Sequence, residues 1–130
     1  MTVTASAIHG SVEVDLPIRI HSEMNSRDHW RTVRKRASDH HIAVHYSLIN
    51  FRELLRLIVG ANRKIVVTIT RLGPGTYDDD NLACGFKFCR DQVAKELGID
   101  DGSNRFEWRY RQERSRVHSA RVCIEAGGEL

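Results

Sequence analysis

From Val12 to Ile20, apolar and polar positions alternate: Val12, Val14, Leu16, Ile18 and Ile20 are all apolar. That period of two is the signature of a half-buried strand. Pro17 has no amide proton, which places the strand at a sheet edge or gives it a bulge there. Ser26 is suited to cap a helix that Arg27 and Asp28 open. The apolar stripe of that helix is Trp30, Val33, Ala37, Ile42, Val44 and Leu48; it is imperfect and admits a break near Ser38–His41. Residues 51–59 (FRELLRLIV) predict a second helix, stopped by Gly60.

Residues 64–70 (KIVVTIT) are β-branched almost throughout and predict a central strand, followed by a loop over 72–77 (LGPGTY). Leu82, Phe86, Cys89, Val93 and Leu97 then recur at helical spacing, with Asp80 as the expected N-cap and Gly98 as the stop. Residues 104–112 and 117–125 read as two strands of an antiparallel hairpin about a charged turn. This order predicts an α+β class: one domain over residues 12–130, with helices packed on a mixed sheet. Residues 1–11 are small and polar and are expected to form a flexible N-terminus.

The 130 residues suffice for one hydrophobic core. With 41% apolar residues, 28% charged residues and 2 prolines, a collagenous, fibrous or low-complexity chain is excluded. No apolar run is long enough to span a bilayer, and the first residues lack the pattern of a secretory signal. The 3 cysteines cannot all pair within the chain and read as reduced thiols, so a cytoplasmic location is expected.

Charge is segregated. Residues 23–36 carry five basic side chains (Arg27, Arg31, Arg34, Lys35, Arg36) against two acids. Residues 78–101 carry seven acids against three bases, and residues 105–121 carry six arginines against two acids. An acidic middle between basic flanks suits a metal-loaded site within a phosphate-binding surface.

Asp78, Asp80 and Asn81 centre that middle. In an extended segment, Asp78 and Asp80 face the same way, and two oxygen-only ligands suit Mg²⁺ or Mn²⁺. The plainer alternative is an acidic cluster that favours the helix macrodipole. Lys87 lies seven residues beyond Asp80, on nearly the same stripe of a continuous helix. It could approach those carboxylates or merely pair with Asp91. His41 and His45 have a zinc pair's spacing without a third ligand, and read as partly exposed helical residues. Cys84 and Cys89 read as core or semi-core thiols. No P-loop, dinucleotide fingerprint or nucleophile elbow is present, and no small-molecule cofactor is expected.

The ordered set Asp78-Asp79-Asp80-Asn81-Leu82, Lys87 with Asp91, and Gly98 with Asp100-Asp101 resembles the RusA-type Holliday-junction resolvases. The Leu16-Pro17 strand, Asn25, the basic helix after it and Gln112 extend the likeness over residues 12–125, particularly to phage-encoded members. The resemblance implies a homodimeric, Mg²⁺-dependent endonuclease that resolves four-way DNA junctions by paired nicks. It assigns metal binding to Asp78, Asp80 and Asp101, with Lys87 as the essential lysine. Asn25, Arg27, Arg31, Arg34, Lys35 and Arg71 become the expected DNA contacts. This chain departs from the family pattern by placing the lysine six residues after Asn81 rather than three.

A bound metal would relieve charge at the phosphate, and Lys87 would neutralise a phosphate oxygen. An unbroken helix over 81–97 would be about 25 Å long, and the return from Gly98 would leave Asp101 roughly 10 Å or more from Asp80. Either the helix breaks at Gly85 or a partner subunit supplies Asp101; the second is the expectation. The alternatives are a branched-DNA-binding dimer of the same fold without cleavage, and a small protein-interaction module.

Overall fold

The structure is a computed structural model that describes residues 3–6, 10–23 and 27–129. Its strands are β1 (Val3–Ser6), β2 (Ser11–Leu16), β3 (Arg63–Gly73), β4 (Phe106–Arg114) and β5 (Ser119–Glu129). They form one sheet in the order β1-β2-β5-β3-β4. The β3–β4 pair is parallel and every other pair is antiparallel. Helices α1 (Trp30–Leu48), α2 (Arg52–Gly60), α3 (Asp79–Gly85) and α4 (Lys87–Leu97) complete the α+β domain, with a 3₁₀ turn at Ile49–Phe51. Among the described residues, no helix is long and apolar enough to cross a membrane.

Alternation decides which face of the sheet is covered. Val12, Val14 and Leu16 of β2, Ile65, Val67 and Ile69 of β3, and Ala120, Val122 and Ile124 of β5 are buried. They share one core with Val44, Leu48, Leu55, Ile58, Leu82, Phe86, Cys89, Val93 and Leu97 of the helical region. Cys89 is fully buried, which pushes its thiol up to about 12. No disulfide links the three cysteines.

The expected hairpin does not form. β3 lies between β4 and β5, and the connection passes the end of β3, where the Ser115 amide donates to the Gly73 carbonyl at 3.0 Å. The cause is burial. β3 also buries Val66 and Thr70 on its second face, so it gains from neighbours on both edges. β4 exposes Glu107, Arg109 and Arg111, charges that suit an edge strand.

β2 stops before Pro17 and is not an edge, because β1 flanks it and pairs Val3 with Val14. The sheet thus takes in part of the segment expected to be flexible. Ile18 and Ile20 remain buried beyond the strand.

Helix α1 begins at Trp30, not beside Ser26, which lies outside the described residues. The His29 ring caps it, accepting from the Arg31 amide at 3.1 Å, and Arg27 and Asp28 precede it. The helix runs unbroken through Ser38–His41. Its buried face is His40, Val44, Ser47 and Leu48, while Trp30 and Ile42 are 55% and 52% exposed. Ile42 falls about 200° around the helix from Val44 and cannot share its face. His40 is neutral-favouring because burial penalises its charge, and its Nε2 donates to the Arg19 carbonyl at 3.0 Å. His41 donates to Gln92 at 2.8 Å and His45 bonds Glu96, so the histidine pair fastens α1 to α4.

The helix expected over 81–97 is broken at Phe86. A Cβ on Gly85 would lie 2.7 Å from both the His21 carbonyl oxygen and Ile20 Cγ2, so the segment after β2 crosses directly over this position. Phe86 is fully buried. Burying such a side chain is worth about 1.5–3 kcal/mol, against about 0.5–1.5 kcal/mol net for each helical hydrogen bond lost, so packing wins. Gly85→Ala should destabilise the fold by about 1–3 kcal/mol, read as a lower urea midpoint at unchanged slope. An unchanged midpoint would mean that the crossing relaxes freely.

Candidate functional site

The acidic turn is delivered by the end of β3. Inward-facing positions on this strand are Ile65, Val67 and Ile69, and the next in phase is Arg71. Arg71 is 2% exposed, and its guanidinium stacks 4.1 Å from the centroid of the Tyr77 ring. It donates to the carbonyls of Pro74 at 2.8 Å and Gly75 at 3.3 Å. Gln112, beside Arg71 in the sheet, accepts from the Tyr77 amide at 2.9 Å and donates to the Tyr77 carbonyl at 2.7 Å. The Tyr77 hydroxyl donates to the Ile20 carbonyl at 3.2 Å. Loop 74–77 is therefore held at both ends. Arg71 is an anchor of this loop rather than the expected DNA contact, because its charge faces the interior.

Asp78 follows at once, and it, not Asp80, caps α3. Its Oδ1 accepts from the Asn81 amide at 2.9 Å. Asp79 and Asp80 already lie in the first helical turn. The side-by-side arrangement expected of an extended Asp78–Asp80 pair is lost, since the helix starts two residues earlier. All three acids are exposed and placed where the macrodipole favours negative charge. Asn81 accepts from the Ser22 hydroxyl, and next to Ser22 the Glu23 carboxylate holds Arg36 of α1 at 2.7 and 2.8 Å. Two consecutive residues thus tie the acidic turn to the basic helix.

The break at Phe86 removes the continuous stripe from Asp80 to Lys87. Lys87 opens α4, is exposed and, among the described residues, forms no ion pair, so the Asp91 pairing is not made either. Gly98 ends α4 at φ +69, a conformation that glycine adopts without strain. Asp100 closes the turn, accepting from the Gly102 amide at 3.0 Å. Asp101 comes back against the first turn of α4. Its carbonyl accepts from Arg90 and from the Trp108 indole, each at 3.1 Å, and its carboxylate lies 3.5 Å from Arg90 Nε. Arg90 also donates to the Tyr110 hydroxyl at 2.9 Å and stacks 4.7 Å from the Trp108 ring. The expectation that a partner supplies Asp101 rested on an unbroken helix, and that ground is gone.

Among the described residues, no three His, Cys, Asp or Glu side chains are gathered closely enough to hold a metal ion. The donor chemistry of Asp78 and Asp80 fits a hard cation, but Asp101 does not join them.

Of the expected DNA contacts, Arg27, Arg31, Arg34 and Lys35 are exposed, and Asn25 lies outside the described residues. Lys35 pairs with Asp39 at 3.1 Å, while Arg31 and Arg34 form no ion pair among the described residues and lie against the Trp30 ring. Sequence reasoning missed the Arg71–Tyr77–Gln112 anchor and the Arg90–Trp108–Tyr110 cluster. The alternation of Phe106, Trp108, Tyr110 and Gln112 on one face of β4 was the available signal for both.

No protein-family model matches the chain, and no curated protein matches it.

Arg71→Lys keeps the charge but loses the fork and the planar stack. It should cost about 1–3 kcal/mol in urea unfolding and speed amide exchange at Tyr77. Wild-type exchange at that amide would show that the guanidinium is not the anchor.

Proposed function

We propose that this chain binds branched DNA and nicks it, as a metal-dependent endonuclease of the resolvase type. The observation that carries the reading is the Ser22–Glu23 bridge, which sets an exposed carboxylate turn beside an exposed basic helix. Acids in that setting are repelled by DNA unless they serve it, while Arg31 and Arg34 supply the attraction. Asp78 and Asp80 would hold Mg²⁺ or Mn²⁺, which when bound relieves charge at the scissile phosphate and activates a water. Lys87, exposed at the start of α4, would hold its ammonium against a phosphate oxygen. Two symmetric nicks on a four-way junction call for a two-fold homodimer. Exposed Tyr46, Ile42 and Leu57 on the helical side support self-association.

A second reading, branched-DNA binding without cleavage, is favoured by one observation: Asp101 is engaged by Arg90 and stands apart from the other two acids.

A synthetic four-way junction, incubated with Mg²⁺ or with EDTA, separates the two. Cleavage predicts nicked product with Mg²⁺ alone, and Asp80→Asn should bind as wild type while nicking at least a hundredfold more slowly, roughly the loss of one catalytic charge. Binding with no product in Mg²⁺ or Mn²⁺ selects the second reading. In either case, reversing Arg31 and Arg34 to Glu should weaken binding to every DNA shape and flatten its salt dependence. Unchanged affinity at low salt would remove this helix from the interface.

A further inference from the structure

Trp30 is one of two tryptophans in the chain, and 55% of it is exposed at the start of α1. The guanidinium groups of Arg31 and Arg34 lie 5.3 and 5.5 Å from its ring centroid, and the His29 ring lies 5.5 Å away, tilted by 32°. These contacts restrict the ring's rotation and hold two positive charges beside it. The other cations of α1 are already spent: Lys35 on Asp39, and Arg36 on Glu23 and Asp28. Arg31 and Arg34 have no carboxylate partner among the described residues. A presented indole next to two uncompensated guanidinium groups matches one chemistry closely. An unpaired nucleotide offers a base face to stack and flanking phosphates to neutralise. Bases inside a duplex are already stacked and offer no such face. An acidic peptide would satisfy the arginines and leave the indole unused.

We propose that Trp30 is a base-stacking residue that takes an unpaired DNA base, with Arg31 and Arg34 on the adjoining phosphates. The proposal rests on the DNA-binding reading above and adds to it a preference for unpaired nucleotides, such as those at a branch point.

The test uses the full chain and its own fluorescence. Trp108→Phe leaves Trp30 as the sole indole, and the difference between wild type and Trp30→Phe gives the same signal where Trp108→Phe weakens the fold. Short oligo(dT), an abasic strand of the same length and a duplex of the same length are titrated at low salt, with binding followed independently by anisotropy of end-labelled DNA. Oligo(dT) should quench Trp30 emission, whereas the abasic strand should bind without quenching it. Trp30→Ala should weaken oligo(dT) binding by about tenfold, with little change for the abasic strand, and Trp30→Phe should restore most of the loss. Oligo(dT) binding with unchanged Trp30 emission, or equal weakening for the abasic strand, would overturn stacking and leave DNA binding standing. Absence of binding to all three strands would overturn the DNA reading and this inference with it.

Discussion

The guanidinium of Arg71 sits inside the fold with no carboxylate paired to it among the described residues, and its Nε lacks a hydrogen-bond partner. Burying an unpaired charge costs several kcal/mol. Two carbonyl bonds, worth about 1.5–3 kcal/mol each to a charged donor, and a desolvated stack on Tyr77, worth about 2 kcal/mol, offset that cost. They do so only while Pro74, Gly75 and Tyr77 stay where they are. The charge therefore makes the loop rigid: any displacement strips it of compensation. Because Asp78 follows Tyr77 directly, the position of the acidic turn is inherited from a cation that never meets solvent.

Folding also redraws the charge pattern. The arginine-rich end of the chain looks like a second basic surface, yet much of it is neutralised or structural. Arg121 lies 3.2 Å from both Glu13 and Asp15, Arg109 pairs with Glu107 at 2.7 Å, and Arg105 donates to the carbonyls of Val59 and Arg63. Exposed pairs of this kind contribute at most about 1 kcal/mol to stability. Their larger effect is on the field: they reduce the surplus of this end, in which Arg111, Arg114 and Arg116 stay exposed with no ion pair among the described residues, while Arg31 and Arg34 are the unbalanced cations of α1.

Local periodicity made strands β2 to β5, the two leading helices and the glycine stop at Gly98 legible, because each depends on residues adjacent in the chain, whereas β1 was read as a flexible end. Pairing partners were not legible. Nothing within residues 104–125 says that β3 will insert between them; that follows from the two-sided burial of β3. The break at Phe86 was legible only as the less favoured alternative, a break at Gly85 inferred from the reach of Asp101 and not from the apolar pattern. The stripe from Leu82 to Leu97 continues in phase through it, and the demand for Gly85 comes from Ile20 and His21, more than sixty residues earlier. At the candidate site, the exposed acids and the basic helix were readable. Arg71 was not, since a basic residue before a loop looks like a phosphate contact until its phase with Ile65, Val67 and Ile69 is counted.

The break divides the candidate chemistry between two rigid pieces. Asp78 and Asp80 ride on α3, and Lys87 rides on α4 with Arg90 and, through it, Asp101. Phe86 joins the pieces and packs 5.3 Å from the Tyr110 ring, so edge strand β4 sets their relative placement. The hold on Asp101 is uneven. Its carbonyl is fixed by two bonds, but its carboxylate makes only a 3.5 Å contact to Arg90, with the two side chains 42% and 32% exposed. A contact of that kind is worth less than about 1 kcal/mol. The carboxylate can therefore turn away from Arg90 while the backbone of the turn stays in place. Under the proposed function, release of the Asp101 carboxylate from Arg90 would be a local change that leaves the sheet and its helices as they are.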